Sequence, residues 1–311
     1  MAQSVKKVVI LTHEAHPLRS QRYFLRLLAA QWQEEGIEVR ELCGLGHFED
    51  ADVAVQHVNL TVVPEQYVRF LDRYPIVVNR RAVDISKSRI SANLVGPEDG
   101  YPGPVIVKTN LNFGGRPEKA LRSNGSRWSG LWEKLLGHAF RFAPLTAKTQ
   151  TLKRYPIFRS LRDVPEAVFA NPDLVVEKFL PEFHDGCYWL RKYTFLGDRH
   201  AGICSAARRP IVKASNSVSH EEISVPEELH AMRARLGFDF GKFDYVVHDG
   251  RIALLDANRT PTYRSAVPTE RLRTLARTLA AGILSFTAAQ DDGHRSGSIR
   301  PAATSDAIAS R

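Results

Sequence analysis

The stretch FDYVVHDGRIALLDAN, residues 243–258, decides the fold. Two apolar runs flank Asp249-Gly250, a dipeptide that favours the tight turn of a β-hairpin. Asp244 and Asp256 lie among apolar residues, where a carboxylate without a partner is costly. The segment therefore predicts two paired strands whose acidic side chains have a binding partner.

The length of the turn determines where these acidic side chains point. With a two-residue turn, Asp244 and Asp256 are expected on opposite faces of the hairpin. A three-residue loop, 248–250 with Gly250 left-handed, would place them diagonally adjacent on one face. We predict the three-residue loop, which by alternation also brings Asn258 to that face.

Two carboxylates and an amide oxygen from adjacent strands form an oxygen-rich site that suits Mg²⁺, which also binds phosphate oxygens. We therefore predict a metal site at Asp244, Asp256 and Asn258. The alternative is an ordinary hairpin whose polar residues face water.

The N-terminal segment alternates between strand and helix. The expected strands are 7–11, 37–42, 52–58 and 76–79, and the expected helices are 23–36 and 64–74. Such a βαβ order implies a parallel sheet with helices on its faces.

Short strands dominate the second half of the chain. After a helix at 84–95, a strand at 105–108 and a glycine-containing loop at 110–116, the expected strands are 174–179, 188–196, 200–206, 243–248 and 251–257, with helices at 227–236 and 270–284. Residues 119–162 form a basic, aromatic-rich insert of undetermined structure. The Ser-, Gly- and Ala-rich tail, 290–311, is expected to be disordered.

The length and composition of the chain favour a globular protein of several subdomains over a membrane-spanning or disulfide-rich protein. A chain of 311 residues suits two or three coupled subdomains, and no apolar run approaches the roughly 20 residues that cross a bilayer. Three widely spaced cysteines indicate neither a zinc site nor a disulfide framework, so a cytoplasmic protein is expected. The net charge of +9 is dispersed and accompanies no zinc-finger or RRM signature, so nucleic acid is not expected as a partner.

The closing motif resembles that of ATP-grasp enzymes, such as glutathione synthetase, D-alanine–D-alanine ligase and peptide-extending glutamate ligases. It consists of Asp244, then Asp256-Ala257-Asn258, with Thr260-Pro261 after it. The resemblance implies that both aspartates and the asparagine bind one or two Mg²⁺ ions, or Mn²⁺ as a substitute, that bridge the phosphates of ATP. The family usually has glutamate at the middle position, so the shorter side chain here is expected to bind the metals differently or to bind fewer of them.

Upstream motifs follow the order of the same family. Lys108, at the end of 105–108, resembles the lysine that contacts the α- and β-phosphates, and Lys87 resembles a second phosphate-binding lysine. Gly114-Gly115 resembles the mobile glycine loop, where backbone N–H groups approach an anion closely. Taken alone, these residues indicate only a solvated lysine and a simple turn.

The strand 174–180 resembles the hinge against which adenine lies. The resemblance implies adenine contacts at Glu177, Lys178 and Phe179, and ribose contacts at Glu182 or Asp185. Without the other motifs, this segment indicates a buried strand that ends in a charged turn.

Basic residues on the next two strands resemble those around the γ-phosphate and the acyl acceptor. Neighbours in a strand point to opposite faces, so the choices between Arg191 and Lys192 and between Arg208 and Arg209 stay open. We prefer Arg191 and Arg208, which with Lys108 form the expected catalytic set.

Two further groups of residues are candidates for substrate contacts. Arg259, beside the metal motif, is a candidate for binding a substrate carboxylate. His13, His16 and His57 lie at the ends of N-terminal strands, where parallel sheets bind ligands. Surface or capping histidines are expected there rather than a metal site.

The sequence therefore predicts a mixed α/β and α+β protein. Its expected parts are an N-terminal Rossmann-like βαβ domain (1–81), an ATP-grasp small subdomain with the basic insert (82–173), a C-terminal subdomain with the metal site (174–289) and the tail (290–311). Nucleotide is expected to bind between the two ATP-grasp subdomains.

The predicted function is that of an ATP- and Mg²⁺-dependent ligase. It would activate a carboxylate as an acyl phosphate for attack by an amine or thiol, with amino-acid or peptide substrates. The alternatives are a small-molecule kinase of the same fold and a non-catalytic nucleotide- or nucleic-acid-binding protein. A homodimer is the default expectation.

Overall fold

A computed structural model of the chain describes residues 5–122, 145, 152, 155–213 and 215–287. Most of the 119–162 insert and the predicted disordered tail, 290–311, lie outside the described residues. Within the described ranges, no helix is both long enough and apolar enough to cross a membrane.

The N-terminal part contains a four-stranded parallel sheet in the order β2-β1-β3-β4. Its elements are β1 (Lys7–Thr12), α1 (Leu25–Glu34), β2 (Glu38–Cys43), β3 (Val53–Gln56), α2 (Glu65–Leu71) and β4 (Ile76–Val78). The central strands β1 and β3 are buried on both faces, as expected of apolar strands in a parallel sheet covered by helices. The predicted βαβ sheet is therefore confirmed.

A three-stranded antiparallel sheet follows, in the order β6-β5-β7. This part comprises α3 (Lys87–Ile90), β5 (Val105–Thr109), α4 (Arg116–Arg122), β6 (Ile157–Phe158), α5 (Glu166–Phe169) and β7 (Leu174–Lys178). The predicted helix at 84–95 was too long. It ends after one turn because Ser91 is extended and the Val95 N–H bonds to the Val176 carbonyl of β7.

The third sheet is antiparallel and has the order β11-β10-β9-β12-β13, with β8 pairing beside the start of β9. Its elements are β8 (Glu182–His184), β9 (Cys187–Leu196), β10 (Arg199–Ala207), β11 (Ser217–Ile223), α6 (Glu227–Leu236), β12 (Phe240–His248), β13 (Arg251–Asn258) and α7 (Glu270–Ala280). The edge strand β11 was not predicted because its sequence, SVSHEEI, is mostly exposed and has little apolar content.

The last helix completes the core of the first sheet. Trp32 of α1 is fully buried, and its indole N–H donates to the Ala280 carbonyl of α7 at 2.9 Å. Leu279 and Ile283 pack in the same core as Ile10 of β1. The two ends of the described chain therefore share one hydrophobic core.

Arg259 joins the six-stranded sheet to the N-terminal part. The side chain is fully buried, and its guanidinium group donates hydrogen bonds to the carbonyl oxygens of Val58, Leu60, Thr61, Ala82 and Val83. The expectation that Arg259 binds a substrate carboxylate is therefore wrong. The residue instead fixes two loops of the N-terminal part against the end of β13.

Candidate functional site

A cleft of about 310 Å³ lies between the three-stranded and six-stranded sheets. Strands of both sheets contribute to its wall, for example Ile106 of β5 and Val246 of β12. Eight residues that the sequence motifs single out line it: Lys87, Lys108, Lys178, Phe179, Glu182, Asp244, Asp256 and Asn258.

The β12–β13 hairpin has a two-residue turn, so the predicted three-residue loop is wrong. His248 pairs with Arg251, and both turn residues, Asp249 and Gly250, have positive φ angles of 48° and 74°. Two consecutive residues with positive φ are typical of the type I′ turn.

A β-bulge nevertheless brings the two aspartates to one face. The register shifts next to Asp244, so that Tyr245 pairs with Leu254 and Asp244 pairs with Asp256. Leu255 is the extra residue, and one inserted residue reverses the alternation of the strand beyond it. The two carboxylates therefore lie directly opposite each other.

The same face carries further polar side chains. Lys242 and Asn258 form the next cross-strand pair, and Lys192 of β9 pairs with Asp244. Side chains that alternate by two residues, or that lie directly opposite across strands, point to one side of a sheet. Carboxylate, amide and ammonium groups therefore share one surface of the sheet.

Three acidic residues at the site, Asp244, Asp256 and Glu177, each pair with a lysine. The Lys87 ammonium bonds to Asp256, and the Lys242 ammonium lies 3.0 Å from an Asp244 carboxylate oxygen. Lys108 donates to Glu177 at 2.6 Å and to the carbonyl of the bulge residue Leu255 at 3.3 Å. The site is therefore built from lysine–carboxylate pairs contributed by both sheets.

Burial and charge act in opposite directions on the pair of Lys87 and Asp256. Burial by itself raises the pKa of the Asp256 carboxyl, but the charge of Lys87 and its hydrogen bond outweigh burial, so the pKa lies below its ordinary value. Burial likewise lowers the pKa of Lys87, and Asp256 more than offsets it. Both side chains are therefore charged at neutral pH.

The oxygen donor atoms of the site are of the type that a hard cation such as Mg²⁺ prefers. Asp244, Asp256 and Asn258 offer oxygen atoms on one face, and Mg²⁺ binds oxygen ligands. The Asn258 side-chain oxygen also accepts the Thr260 N–H at 2.8 Å, which fixes the orientation of the amide. No cluster of three or more His, Cys, Asp or Glu side chains within the described ranges is arranged as a metal site.

Arg191 lies on the other face of β9. It pairs across the strands with Tyr245 and Cys204, and its guanidinium group bonds to Glu182 at 2.6 Å. Arg191 therefore lies on the face of β9 opposite to that of Asp244, and it is not among the residues that line the cleft. Lys192, the alternative within that pair, points to the same face as Asp244.

The two expected ribose-binding residues are placed differently from each other. Both Glu182 carboxylate oxygens are occupied, by Arg191 and by the Val247 N–H at 2.7 Å. Burial raises the pKa of Glu182, but these partners bring it below its ordinary value. Asp185 lies in the turn between β8 and β9 with its side chain 86% exposed, and it does not line the cleft.

Several other expected site residues also lie outside the cleft lining. Arg208 is an exposed residue just after β10. Gly114 and Gly115 are left-handed, with φ of 68° and 70°, in the turn before α4. Their neighbours Asn112 and Phe113 line the cleft instead.

The expected hinge uses its backbone N–H groups within the protein. The N–H of Lys178 donates to Asn93 at 2.8 Å and that of Phe179 to Pro104 at 2.9 Å. Glu177 reaches the cleft only through its ion pair with Lys108. A ligand in the cleft would therefore meet side chains of this segment rather than those two N–H groups.

Sequence reasoning missed two features of the site. Aromatic and apolar residues form part of the cleft wall: Phe113, Tyr155, Tyr188, Trp189, Leu190, Pro210, Ile211 and Val212. Lys242 was also missed, although its position two residues before Asp244 predicts a shared face.

The structure contains a parallel N-terminal sheet followed by two antiparallel sheets. The two antiparallel sheets enclose a cleft lined by lysines and carboxylates, in agreement with the predicted site between two subdomains. This is the mixed α/β and α+β organisation that the sequence predicts. The predicted fold class is therefore confirmed.

No protein-family model matches the sequence, and no curated protein shows significant sequence similarity to it. Solved ATP-grasp structures do resemble the chain. The D-alanine–D-alanine ligase from Bacillus anthracis complexed with ATP has a TM-score of 0.48 and 14% identity, over 94% of this chain and 100% of that chain.

Two further ATP-grasp structures resemble the chain to a similar degree. A RimK domain ATP-grasp protein from Sphaerobacter thermophilus has a TM-score of 0.47 and 14% identity, over 89% of this chain and 99% of that one. The ATP-grasp ligase PsnB complexed with minimal precursor has a TM-score of 0.47 and 10% identity, over 88% and 98% of the two chains. At TM-scores below 0.5, these likenesses assign no role to any residue of this chain.

Proposed function

We propose that this chain is an ATP-grasp enzyme, an ATP-dependent carboxylate–amine ligase that acts on amino acids or peptides. The observation that carries the proposal is the convergence of Lys87, Lys108, Asp244 and Asp256 at one cleft, with Lys242 paired to Asp244 beside it. Such a set can bind a triphosphate and a divalent cation side by side.

The ion pairs support an exchange of partners on nucleotide binding. Phosphate oxygens are strong acceptors for an ammonium group, so they can replace a carboxylate as the partner of Lys87 or Lys242. The released carboxylates of Asp256 and Asp244 are then available to a cation. Each ion pair lost in this exchange is replaced by another.

Asp244, Asp256 and Asn258 would hold Mg²⁺. A bound Mg²⁺ supplies positive charge that neutralises phosphate oxygens during phosphoryl transfer. The aspartates offer their carboxylates from two adjacent strands, and Thr260 keeps the Asn258 amide in one orientation.

The chemistry requires positioning and charge rather than a side-chain nucleophile. An oxygen of the substrate carboxylate bonds to the γ-phosphorus and ADP leaves, giving an acyl phosphate. The amine nitrogen then bonds to the acyl carbon, phosphate leaves, and the amine proton passes to solvent. Lys192 and Lys242 lie on the Asp244 face, where they can stabilise negative charge on the transferred group.

Lys108→Met and Asp256→Asn test this assignment. We expect each variant to lose ATP turnover by about 100-fold or more, because each removes a charge that the phosphoryl transfer needs. The assay is phosphate release over a panel of paired amino acids and small acids, with products identified by mass spectrometry. Arg69→Met, on the exposed face of α2, is the control and should keep full turnover.

The products distinguish this proposal from its alternatives. ADP together with an amide supports ligation, whereas a phosphorylated alcohol would identify a kinase. Substantial turnover in both cleft variants, with folding verified by circular dichroism, would reject the assignment of the site.

A further inference from the structure

A second cavity, of about 520 Å³, shares no lining residue with the nucleotide cleft. Its lining consists of Arg81, Val83, Asp84, Arg89, Arg235, Leu236 and Gly237. The volume falls within the range of small-molecule sites, roughly 300–1,000 Å³.

Three arginines from different parts of the chain reach this cavity. Arg81 follows β4, Arg89 lies on α3, and Arg235 lies in the last turn of α6. Within residues 5–122, 155–213 and 215–287, no carboxylate oxygen lies within 4.0 Å of any of these guanidinium groups. By contrast, Arg80 and Arg277 each have such a partner.

The one carboxylate of the lining, Asp84, is used locally. Its Oδ1 accepts the Ser86 N–H at 2.8 Å, at the entrance to α3. Three positive side chains therefore face one negative side chain across this cavity. An uncompensated group of cations in a concave surface attracts anions.

Gly237 makes the position of Arg81 feasible. It is left-handed, with φ of 72°, and a Cβ atom there would come within 2.6 Å of the Arg81 Cβ. Arg81 therefore packs against the end of α6, and its Nη2 lies 3.5 Å from the Ala234 carbonyl. Any side chain at position 237 would displace Arg81 from the cavity wall.

We propose that this cavity binds a small ligand carrying two or more phosphate groups, at a site separate from the nucleotide cleft. Guanidinium groups match the geometry of phosphate oxygens and can bind them through two parallel hydrogen bonds. Three of them on one concave surface favour a ligand with several anionic oxygens. Binding there does not depend on the proposed ligase activity.

The cavity is connected to the cleft through α3. Arg89 lies two residues after Lys87, whose ammonium pairs with Asp256, and Ile90 packs in the same core as Leu229 of α6. A ligand that bridges Arg89 and Arg235 would hold α3 against α6. Because linkage is reciprocal, nucleotide in the cleft and ligand in the cavity would alter each other's affinity by the same factor.

Calorimetric titration with inorganic tripolyphosphate tests the site. The Lys108→Met protein is used throughout, since it weakens binding of the probe in the cleft. We expect Arg89→Gln and Arg235→Gln together to weaken tripolyphosphate binding by about tenfold or more, because each removes charge-assisted hydrogen bonds. The matched control, Arg69→Gln with Arg277→Gln, changes the net charge equally but should leave the affinity unchanged.

Three outcomes would overturn the proposal: an unchanged affinity in the cavity variant, an equal loss in the control, or binding of duplex RNA that is tighter than that of tripolyphosphate and lost with the same two arginines. Thermal unfolding of each variant establishes that it is folded. If ATP turnover is absent in the wild type but tripolyphosphate binding responds as expected, the ligase assignment fails and the anion site stands.

Discussion

The positive charges of the buried lysines in the cleft and of the buried Arg259 are balanced by different kinds of partner. In the cleft, Lys87 and Lys108 each pair with a carboxylate, whereas Arg259 donates only to backbone carbonyls. A carboxylate side chain can take up another cation, and its lysine can take up a phosphate. Backbone carbonyls cannot change partners in this way. The cleft lysines can therefore exchange a carboxylate for a phosphate, whereas Arg259 keeps its hydrogen bonds.

The pKa values of the two groups reflect this difference. Burial lowers the pKa of Arg259 to about 9, and the more distant charges of Asp84 and Glu118 offset only part of that effect. Burial also lowers the pKa of Lys87, but Asp256 reverses the direction. The Asp256 carboxylate thus more than offsets the effect of burial on Lys87, whereas the charges near Arg259 do not.

Arg259→Met should produce the largest effect on folding. The substitution removes every hydrogen bond of the buried guanidinium group, although the Val58, Thr61 and Val83 carbonyls keep a backbone N–H donor. We expect the free energy of unfolding to fall by about 3–5 kcal/mol. Urea denaturation measures it. Arg69→Met, which removes an exposed i,i+4 pair with Glu65, should cost less than about 0.5 kcal/mol. Equal effects of the two substitutions would contradict the permanent role of Arg259.

Lys108→Met and Glu177→Gln should show a smaller but coupled effect. Either substitution alone leaves a buried charge unpaired, whereas both together remove the pair. We expect the double variant to be more stable than the sum of the single effects predicts, by about 1–3 kcal/mol. Urea denaturation of all four proteins gives the coupling, and strictly additive effects would show that the pair is not a unit.

Of the three predicted effects on the free energy of unfolding, the pH dependence caused by His57 should be the smallest. His57 is fully buried against the Tyr23 ring; burial lowers its pKa from 6.5 to about 3, and the charge of Arg259 acts in the same direction. The unfolded chain therefore binds a proton near pH 6.5 that the folded chain excludes until about pH 3. The free energy of unfolding is therefore unaffected by His57 above pH 6.5. It decreases as pH falls below that value, by about 1 kcal/mol at pH 5.5.

The His57→Gln variant isolates this effect. Its free energy of unfolding should fall less between pH 7 and pH 5.5 than that of the wild type, since the titrating group is gone. His47→Gln serves as the control because the His47 side chain is 71% exposed, and its profile should follow the wild type. Parallel profiles for all three proteins would show that His57 titrates normally in the folded state.

Local sequence patterns predicted most strands of the fold. Apolar runs such as 7–11 and 105–108 became β1 and β5, and Asp249-Gly250 became the turn of the last hairpin. These features depend on alternation and on the conformational preferences of single residues, which a sequence displays directly. The parallel sheet followed from the order of the elements.

Side-chain placement within the site was harder to predict. The bulge at Leu255 reverses the phase of β13, and nothing in the local pattern marks it. The choice between Arg191 and Lys192 depends on which face of β9 shares a side with Asp244, which is a property of the assembled sheet. The partners of Lys87 and Lys108 lie 169 and 69 residues away, so no spacing rule could have paired them.

The contact between Trp32 and Ala280 has a consequence for synthesis of the chain. The ribosome releases the first sheet long before α7, yet Leu279 and Ile283 fill the same core as Ile10 and Leu25. During translation, the N-terminal sheet therefore has an exposed apolar surface until nearly the whole described chain has emerged. Removing the last helix would therefore expose part of the N-terminal core, and such exposed apolar surface makes a chain prone to aggregate.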